Sequence, residues 1–415
     1  MARPSPVSSS ERLESLDVLR GFALLGILAM NIRAMAAPFA AYMYPYAMFD
    51  YTGWNRAAYI FTSVVFDLKM MGLFSMLFGG GVLLYAGKGT TTGKPPRGLW
   101  FRRMFWLLLI GLVHAYLIWD GDILVPYALC GILFVWWARR LPAWALATAA
   151  VLMLAIGAAL SVMHGLTWDS TPEDTRNAEL EMYMPTPAQV QEAVGAMHGG
   201  YLEVVTERAP GTFMIQSIYF LFFFLWRCGG MMLLGMALLK WGFLDGRRSA
   251  ATYARAAVVC IPLGLTLAGW GVVELERVRY AMPERTIPDI WNYVGAVFAS
   301  VGYAAALLLL LEYDLVRSLR GRLASVGQMA LSNYLLQSTI ASIIFLGWGF
   351  DFVGRADYAG QLLVCAAIWL FQLAVSPWWL ARYRFGPAEW VWRSLTYWHG
   401  QPMRGDTRRP TPAAV

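Results

Sequence analysis

Residues 142–163 read PAWALATAAVLMLAIGAALSVM and contain no charged side chain. A bilayer core of about 30 Å is crossed by a helix of roughly 20 mostly apolar residues, so this stretch is long enough to span a membrane. Comparable runs recur along the 415-residue chain, in which 58% of residues are hydrophobic and 14% are charged. Backbone polar groups in lipid must be paired within their own segment, as they are in a helix. The sequence therefore predicts an all-α protein, a polytopic transmembrane helical bundle.

The apolar runs predict about ten spans. Their ranges are 16–37, 57–86, 101–119, 122–138, 142–163, 213–239, 253–274, 289–311, 324–347 and 360–380. Most of the 33 lysine and arginine residues fall on one side of these spans, and the positive-inside rule places that side, with both termini, in the cytoplasm. We therefore expect an N-in, C-in, multi-pass protein of a bacterial cytoplasmic (inner) membrane, surrounded by membrane lipids. Because the basic residues are scattered through short loops, we expect no nucleic-acid partner.

Polar stretches divide the chain into five parts. These are a cytoplasmic N-terminal segment (1–15), a first bundle of five spans (16–163), an extracytoplasmic acidic segment (164–212), a second bundle of five spans (213–382) and a cytoplasmic C-terminal segment (383–415) with a disordered tail. The acidic segment is expected to form short helices that cap the membrane part. The four cysteines lie in apolar runs without paired spacing, and His114 has no second histidine near it. The sequence therefore predicts neither disulfides nor a bound metal.

His114 is the only one of the four histidines inside a predicted span. It shares a helix face with Arg103, about three turns earlier. The turn after its span, Trp119-Asp120-Gly121-Asp122, offers two carboxylates that can orient or charge the imidazole. This neighbourhood favours a catalytic or substrate-binding histidine over a packed core residue.

The first span carries Asp17, Arg20 and Asn31 on one stripe. Asp17 and Arg20 have the spacing of an i,i+3 ion pair at the cytoplasmic surface. Arg20 is also suited to hold a phosphate as a bidentate donor. A helix-end salt bridge that only fixes orientation is the equally favoured alternative.

Charged and amide side chains also occur inside other spans, where ionisable groups are costly. Asp67 and Lys69 are two positions apart, about 200° around a continuous helix, so we expect them not to face one pocket. Arg227 in the sixth span is the expected counter-ion of Asp67. Asn333 and Gln337, at i,i+4 in the ninth span, either bridge helices or hold a ligand.

The stretch SLDVLRGFALLGILAMN at 15–31 resembles the opening of the YeiB family, bacterial membrane proteins labelled domain of unknown function 418. Lys69 with LFSMLFG at 73–79, His114 with DGDIL at 120–124, and GQMALSNYLLQS at 327–338 are similar to blocks of that family. So is GPAEWVWR at 386–393, which adds Glu389 and Arg393 to the polar-core candidates. The resemblance covers nearly the whole chain.

The first span is also similar to two groups of transmembrane acyltransferases, the heparan-α-glucosaminide N-acetyltransferase group and the acyltransferase-3 family. The resemblance implies transfer of an acyl group, most simply acetyl, from cytoplasmic acyl-CoA to an acceptor such as a glycan at the outer face. It also implies a homodimer. Where the acyltransferase-3 family carries a histidine, this chain has Asn31, which cannot act as a base.

His114 is then the remaining base, helped by Asp120 or Asp122. The donor is expected to be held at the inner face by Arg20, Arg102 and Arg103. A small-molecule transporter or flippase with a midplane polar site is the alternative, built from Asp67, Lys69, His114 and Arg227. A third possibility is a non-catalytic scaffold or sensor, in which these polar groups are structural.

Overall fold

The computed structural model describes residues 14–87, 97–315 and 317–404. In chain order the helices are α1 (Glu14–Ala36), α2 (Phe39–Met43), α3 (Gly53–Val65), α4 (Lys69–Gly87), α5 (Arg97–Leu117), α6 (Leu124–Ala138), α7 (Ala143–Leu166), α8 (Glu173–Tyr183), α9 (Pro187–Met197), α10 (Tyr201–Lys240), α11 (Ala250–Arg277), α12 (Thr286–Glu312), α13 (Arg317–Gln328), α14 (Ala330–Phe345), α15 (Tyr358–Leu380) and α16 (Pro387–Tyr397). A 3-10 turn, Trp168–Ser170, follows α7. No strand occurs in the three described ranges, and the predicted polytopic helical bundle is confirmed.

Eight helical stretches are long and apolar enough to cross a membrane: α1, α3 with α4, α5, α7, α10, α11, α12 and α15. The two remaining predicted spans correspond to shorter apolar helices, α6 and α14. The predicted span 324–347 is too long, because the helix is interrupted at Met329, which separates α13 from α14. The N-in, C-in orientation stays a prediction, and the end of the predicted disordered tail, from 405, lies outside the described residues.

The bundle is built around α1. In its most apolar window, 78% of α1 is buried, against 22% for α7. A helix enclosed to this extent exposes little side-chain surface to lipid, whereas α7 lies at the lipid-facing surface. Polar residues on α1, α4 and the later part of α10 are therefore held inside the protein.

Close backbone contact joins α4 to α10. A Cβ placed on Gly79 would lie 2.0 Å from the Met232 carbonyl oxygen, and one on Gly235 would lie 2.0 Å from the Met76 carbonyl oxygen. Only glycine permits this approach, and small residues at crossings are characteristic of membrane helices. The crossing brings the middle of α4 against the C-terminal part of α10.

The acidic segment forms the short helices that its sequence predicts. Thr186 begins α9 with a capping box: its backbone N–H donates to Gln189 Oε1 at 2.8 Å, and its hydroxyl accepts from Gln189 N. The end of α9 packs on the loop after α14, where Gly347 N donates to Met197 O at 2.9 Å. The segment therefore covers the end of the bundle at which α5 and α14 end.

Candidate functional site

The imidazole of His114 and the carboxyl group of Asp122 form a buried pair. His114 lies in the last turn of α5, and Asp122 lies in the turn that leads into α6. His114 Nδ1 and Asp122 Oδ1 are 2.7 Å apart, and both side chains are fully shielded from solvent. If Asp122 is ionised, its carboxylate only accepts hydrogen bonds, and Nδ1 then carries the proton in this contact. The pair therefore leaves Nε2 as the ring nitrogen available to a reactant.

Backbone contacts hold Asp122 in place. Its Oδ2 accepts from Val125 N at 2.8 Å in the first turn of α6, and its carbonyl accepts from Gln216 Nε2 of α10 at 3.2 Å. Both carboxylate oxygens are thus engaged. A carboxylate fixed in this way keeps a neighbouring imidazole in one orientation and one tautomer.

Two aromatic rings pack around the imidazole. The ring centroids of Tyr334 and Trp119 lie 5.0 Å and 6.4 Å from that of His114. Within the described part of the chain, His114 Nε2 and Trp119 Nε1 are buried and have no hydrogen-bond partner. Leaving a buried polar atom unpaired costs about 1–3 kcal/mol. Two such atoms on neighbouring rings mark a place where a reactant is expected to bind.

Asp120 points elsewhere. It is half-buried and lines a shallow groove together with Trp119, Tyr201 and Arg208. The sequence predicted either Asp120 or Asp122 as the partner of His114, and in the structure the partner is Asp122. Trp119 borders both the groove and the pair, so it separates the buried imidazole from the groove.

The i,i+3 ion pair predicted in the first span is present. Arg20 Nη1 lies 2.6 Å from Asp17 Oδ1, and the side chains are 28% and 7% exposed. The guanidinium is accordingly the accessible member of the pair. It remains able to contact an anion at this end of the bundle.

Arg102 and Arg103 stack on aromatic rings at the C-terminal end of the chain. The Arg103 guanidinium carbon lies 3.7 Å from the Trp392 ring centroid, and that of Arg102 lies 4.5 Å from the Trp398 ring centroid. The Trp392 indole N–H donates to Arg103 O at 2.9 Å. A stacked guanidinium keeps its in-plane donors for phosphate or carboxylate. Arg103 also lies within electrostatic range of Arg20, so the predicted donor-binding arginines gather at one end of the bundle.

Glu389 of α16 caps another helix. Its carboxyl oxygens accept from Leu331 N at 2.7 Å, from Ser332 N at 3.2 Å and from the Ser332 hydroxyl, which satisfies free N–H groups in the first turn of α14. Burial raises the pKa of the Glu389 carboxyl group. Arg393 stacks on Phe385, with 4.6 Å from its guanidinium carbon to the ring centroid. The Glu389 contacts thus join α16 to α14.

Asp67 and Lys69 do share one partner, so the prediction that they face apart is wrong. Asn292 of α12 donates from Nδ2 to Asp67 Oδ2 at 2.7 Å, and its Oδ1 accepts from Lys69 Nζ. Lys69 Nζ also donates to Ser63 O at 3.0 Å. The cause is a break between α3 and α4, where Leu68 has a φ of 58°. The prediction assumed one continuous helix.

Arg227 does not pair with Asp67, and that expectation is also wrong. Its Nη1 donates to Tyr293 O at 2.8 Å, and its guanidinium carbon lies 4.6 Å from the Tyr293 ring centroid. The amide of Asn292 occupies the position beside Asp67 in which a counter-ion was expected.

Asn333 and Gln337 bridge α14 to α15. Gln337 Nε2 donates to Gln372 Oε1 at 2.8 Å, and Asn333 Nδ2 donates to Ser376 Oγ at 3.0 Å. Gln372 Nε2 returns a bond of 2.8 Å to Asn333 O. Of the two uses that the sequence left open, the contacts are those of helix bridging.

Three polar residues of the interior were missed at the sequence level. Asn292 has an amide side chain inside the predicted span 289–311, and this position within a span could have identified it as a polar interior residue. Tyr334, beside His114, adjoins the singled-out Asn333. Arg33, near the end of the predicted span 16–37, is only 3% exposed, with its guanidinium carbon 3.8 Å from the Tyr59 ring centroid. Asn31, on the same helix, is half-buried.

Long apolar helices around buried charged, amide and imidazole side chains define a multi-pass helical membrane protein with a polar interior. A family model described as "Protein of unknown function (DUF418)" matches residues 238–399. Protein YeiB of Escherichia coli K12 is 31% identical over 96% of this chain and 100% of its own length. YxaH of Bacillus subtilis 168 is 29% identical over 98% of this chain and 100% of its own length. The chain therefore belongs to the YeiB-like DUF418 family.

A protein from the amylase 3′ region of Bacillus acidopullulyticus is 28% identical over 94% of this chain and 96% of its own length. The similarity to these bacterial proteins extends across both predicted bundles. No solved structure matches the chain.

Proposed function

We propose that the protein is an acyltransferase of a bacterial cytoplasmic membrane. It moves an acyl group, most simply acetyl, from cytoplasmic acyl-CoA to a hydroxyl or amine of an acceptor such as a glycan at the outer face. One observation carries the proposal: the fully buried His114–Asp122 pair, 2.7 Å apart, with Nε2 unpartnered among the described residues. This is the arrangement of a general base oriented by a carboxylate.

The chemistry follows from the protonation of the pair. His114 Nε2 takes the proton of the acceptor hydroxyl or amine while the acceptor atom bonds to the thioester carbonyl carbon. The resulting tetrahedral intermediate breaks its carbon–sulfur bond, and the imidazolium returns the proton to the departing thiolate. Asp122 remains ionised throughout, holds Nδ1–H and stabilises the imidazolium.

The donor is assigned to the arginine cluster formed by Arg20, Arg102 and Arg103. Phosphate groups are bound well by guanidinium donors, and an adenine ring by an exposed aromatic face. Trp398 is 74% exposed beside Arg102. Arg103 lies on the same α5 face as His114, about 16 Å away along the helix axis. An extended acyl-CoA held at the arginines would therefore have to run along α5 to reach the base.

Thermal unfolding in detergent with coenzyme A or acetyl-CoA tests donor binding. We expect saturable stabilisation of the wild type, at least tenfold weaker binding in Arg103→Gln, and wild-type binding in His114→Ala. Arg382→Gln is the matched control, because Arg382 is exposed and also stacks on a tryptophan, with 4.4 Å to the Trp378 ring centroid. No stabilisation by either compound, or equal loss in Arg103→Gln and Arg382→Gln, would contradict the proposal.

A transporter is the second candidate, and one observation favours it. Asp67 and Lys69 flank a helix break inside the bundle, and secondary transporters often build their substrate sites at discontinuous helices. The two functions differ in their products. Transfer cleaves a thioester and releases free coenzyme A, whereas transport leaves the compound chemically unchanged.

A further inference from the structure

Arg227 is a fully buried cation in which the N–H groups of Nε and Nη2, three of the five in the side chain, are unused. Its side chain is 0% exposed. Nη1 donates to Tyr293 O, but Nε and Nη2 have no hydrogen-bond partner among the described residues. Nε and Nη2 form one edge of the guanidinium plane. This edge is the one that binds the two oxygens of a carboxylate or phosphate in parallel.

The surroundings of Arg227 are more positive than negative. Lys69 is also 0% exposed and lies within electrostatic range of Arg227. Asp67 is the carboxylate in range of both cations, and it accepts from Asn292 at 2.7 Å and from the Tyr42 hydroxyl at 3.3 Å. Neither cation forms an ion pair in the described part of the chain. A buried guanidinium that has no paired anion is costly inside a membrane protein.

Two irregular helices deliver these cations to one place. Lys69 is the first residue of α4, immediately after the break, so the positive end of the α4 dipole lies beside it. Arg227 follows the π-helical turns Ile215–Phe224 within α10, and π-helical turns occur frequently at functional sites. The buried Tyr293 hydroxyl interacts with the Arg227 guanidinium but forms no hydrogen bond of normal geometry among the described residues. The free guanidinium edge, Lys69 and this hydroxyl are therefore hydrogen-bond donors that come from three different helices.

We propose that this interior cluster binds an oxyanion, a carboxylate or phosphoryl group, on the Nε–Nη2 edge of Arg227. Lys69 supplies a further N–H donor, and Asn292 holds its amino group in position. The ligand class is set by the forked donor edge, which matches two oxygens of one group and not a halide ion. The site is separate from the His114–Asp122 pair and does not depend on acyl transfer.

The test is thermal unfolding of the full chain in detergent, titrated with sodium acetate, sodium phosphate or sodium chloride at constant ionic strength. We expect saturable stabilisation by acetate or phosphate and none by chloride. Arg227→Lys keeps the charge but removes the fork, and it should raise the apparent dissociation constant at least tenfold. Arg285→Lys is the matched control, because Arg285 is also buried but is paired with Asp289 at 3.0 Å. It should respond as the wild type does.

The outcomes are distinct. Stabilisation that is lost in Arg227→Lys and kept in Arg285→Lys supports the site, and the better of acetate and phosphate identifies the headgroup. No response to either oxyanion, or an equal response of wild type and Arg227→Lys, overturns it. If Arg227→Lys does not fold, Tyr293→Phe is the second variant, with at least a threefold weaker response expected. Coenzyme A binding in Arg227→Lys is expected to match the wild type, so failure here is distinguishable from failure of the acyltransferase proposal.

Discussion

Replacing Asp122 with asparagine removes one acceptor from a position where two are needed. The carboxylate contacts His114 Nδ1 at 2.7 Å and Val125 N at 2.8 Å, and both neighbours present N–H groups. An asparagine side chain has one oxygen and one NH₂ group. If the oxygen stays with Val125, the NH₂ group faces Nδ1, which must then become the acceptor, and the ring proton moves to Nε2. If the oxygen stays with His114, the Val125 N–H is buried without an acceptor.

The expected changes in stability and in transfer rate can be given as magnitudes. An unsatisfied buried donor, or a lost charge-assisted bond, lowers the unfolding free energy by about 1–3 kcal/mol. A protonated Nε2 cannot take a proton from an acceptor, so acyl transfer should fall by roughly 10²–10⁴, the range attributed to general base catalysis.

The assay is ¹⁵N NMR of histidine-labelled protein, in which protonated and bare ring nitrogens have different shifts. The His114 signals are identified from their loss in His114→Ala. Asp120→Asn is the matched control, because Asp120 lies in the same turn but is half-buried and not paired with His114. We expect altered His114 signals and reduced stability in Asp122→Asn alone. Wild-type signals and wild-type stability in that variant would refute the pairing.

Three further predictions concern packing and charge. Gly79→Ala should lower the unfolding free energy in detergent by about 1–3 kcal/mol, because its Cβ would meet the backbone of α10. Gly81→Ala is the control and should have no such effect, since Gly81 faces open space on the same helix. Equal effects of the two substitutions would contradict the close crossing. Burial raises the pKa of Glu389, so its contribution to stability is present below its ordinary pKa and is lost as the pH rises through the raised value. Glu389→Gln should flatten the curve of stability against pH, and an unchanged slope would contradict this. Asn292→Leu removes the amide that contacts both Asp67 and Lys69, and it should lower the unfolding free energy by about 3 kcal/mol in thermal or denaturant unfolding. A loss below about 0.5 kcal/mol, the scale of a surface substitution, would contradict the role of Asn292 as a bridge between them.

The sequence predicted the positions of the helices well because length and hydropathy determine membrane insertion. All ten predicted spans overlap an apolar helix. What it could not predict was the break at Leu68, a residue with no glycine or proline beside it to indicate an interruption. The direction in which Asp67 and Lys69 point depends on that break, so helical periodicity gave the wrong relation between them.

Partner choice was predictable only within a helix or a short turn. The Asp17–Arg20 pair follows from i,i+3 spacing, and the partner of His114 was narrowed to two aspartates in the adjacent turn. The partners of Arg227 depend on how α10 packs against α12, which sequence spacing does not encode. A neutral amide, Asn292, competes successfully for Asp67 because it can bridge two opposite charges at once.

Release of free coenzyme A thiol from acetyl-CoA, by membrane vesicles from cells that express the full chain, tests whether the protein is an acyltransferase. The wild type is compared with His114→Ala and His164→Ala at equal protein levels. His164→Ala is the control, because His164 pairs with Glu179 outside the buried site. We expect transfer of ¹⁴C-acetyl to a membrane or glycan product by wild type and His164→Ala. The rate in His114→Ala should be at least 100-fold lower, which is the lower end of the range for general-base catalysis. Equal rates in all three, or no thiol release above that of vesicles lacking the protein, would contradict it.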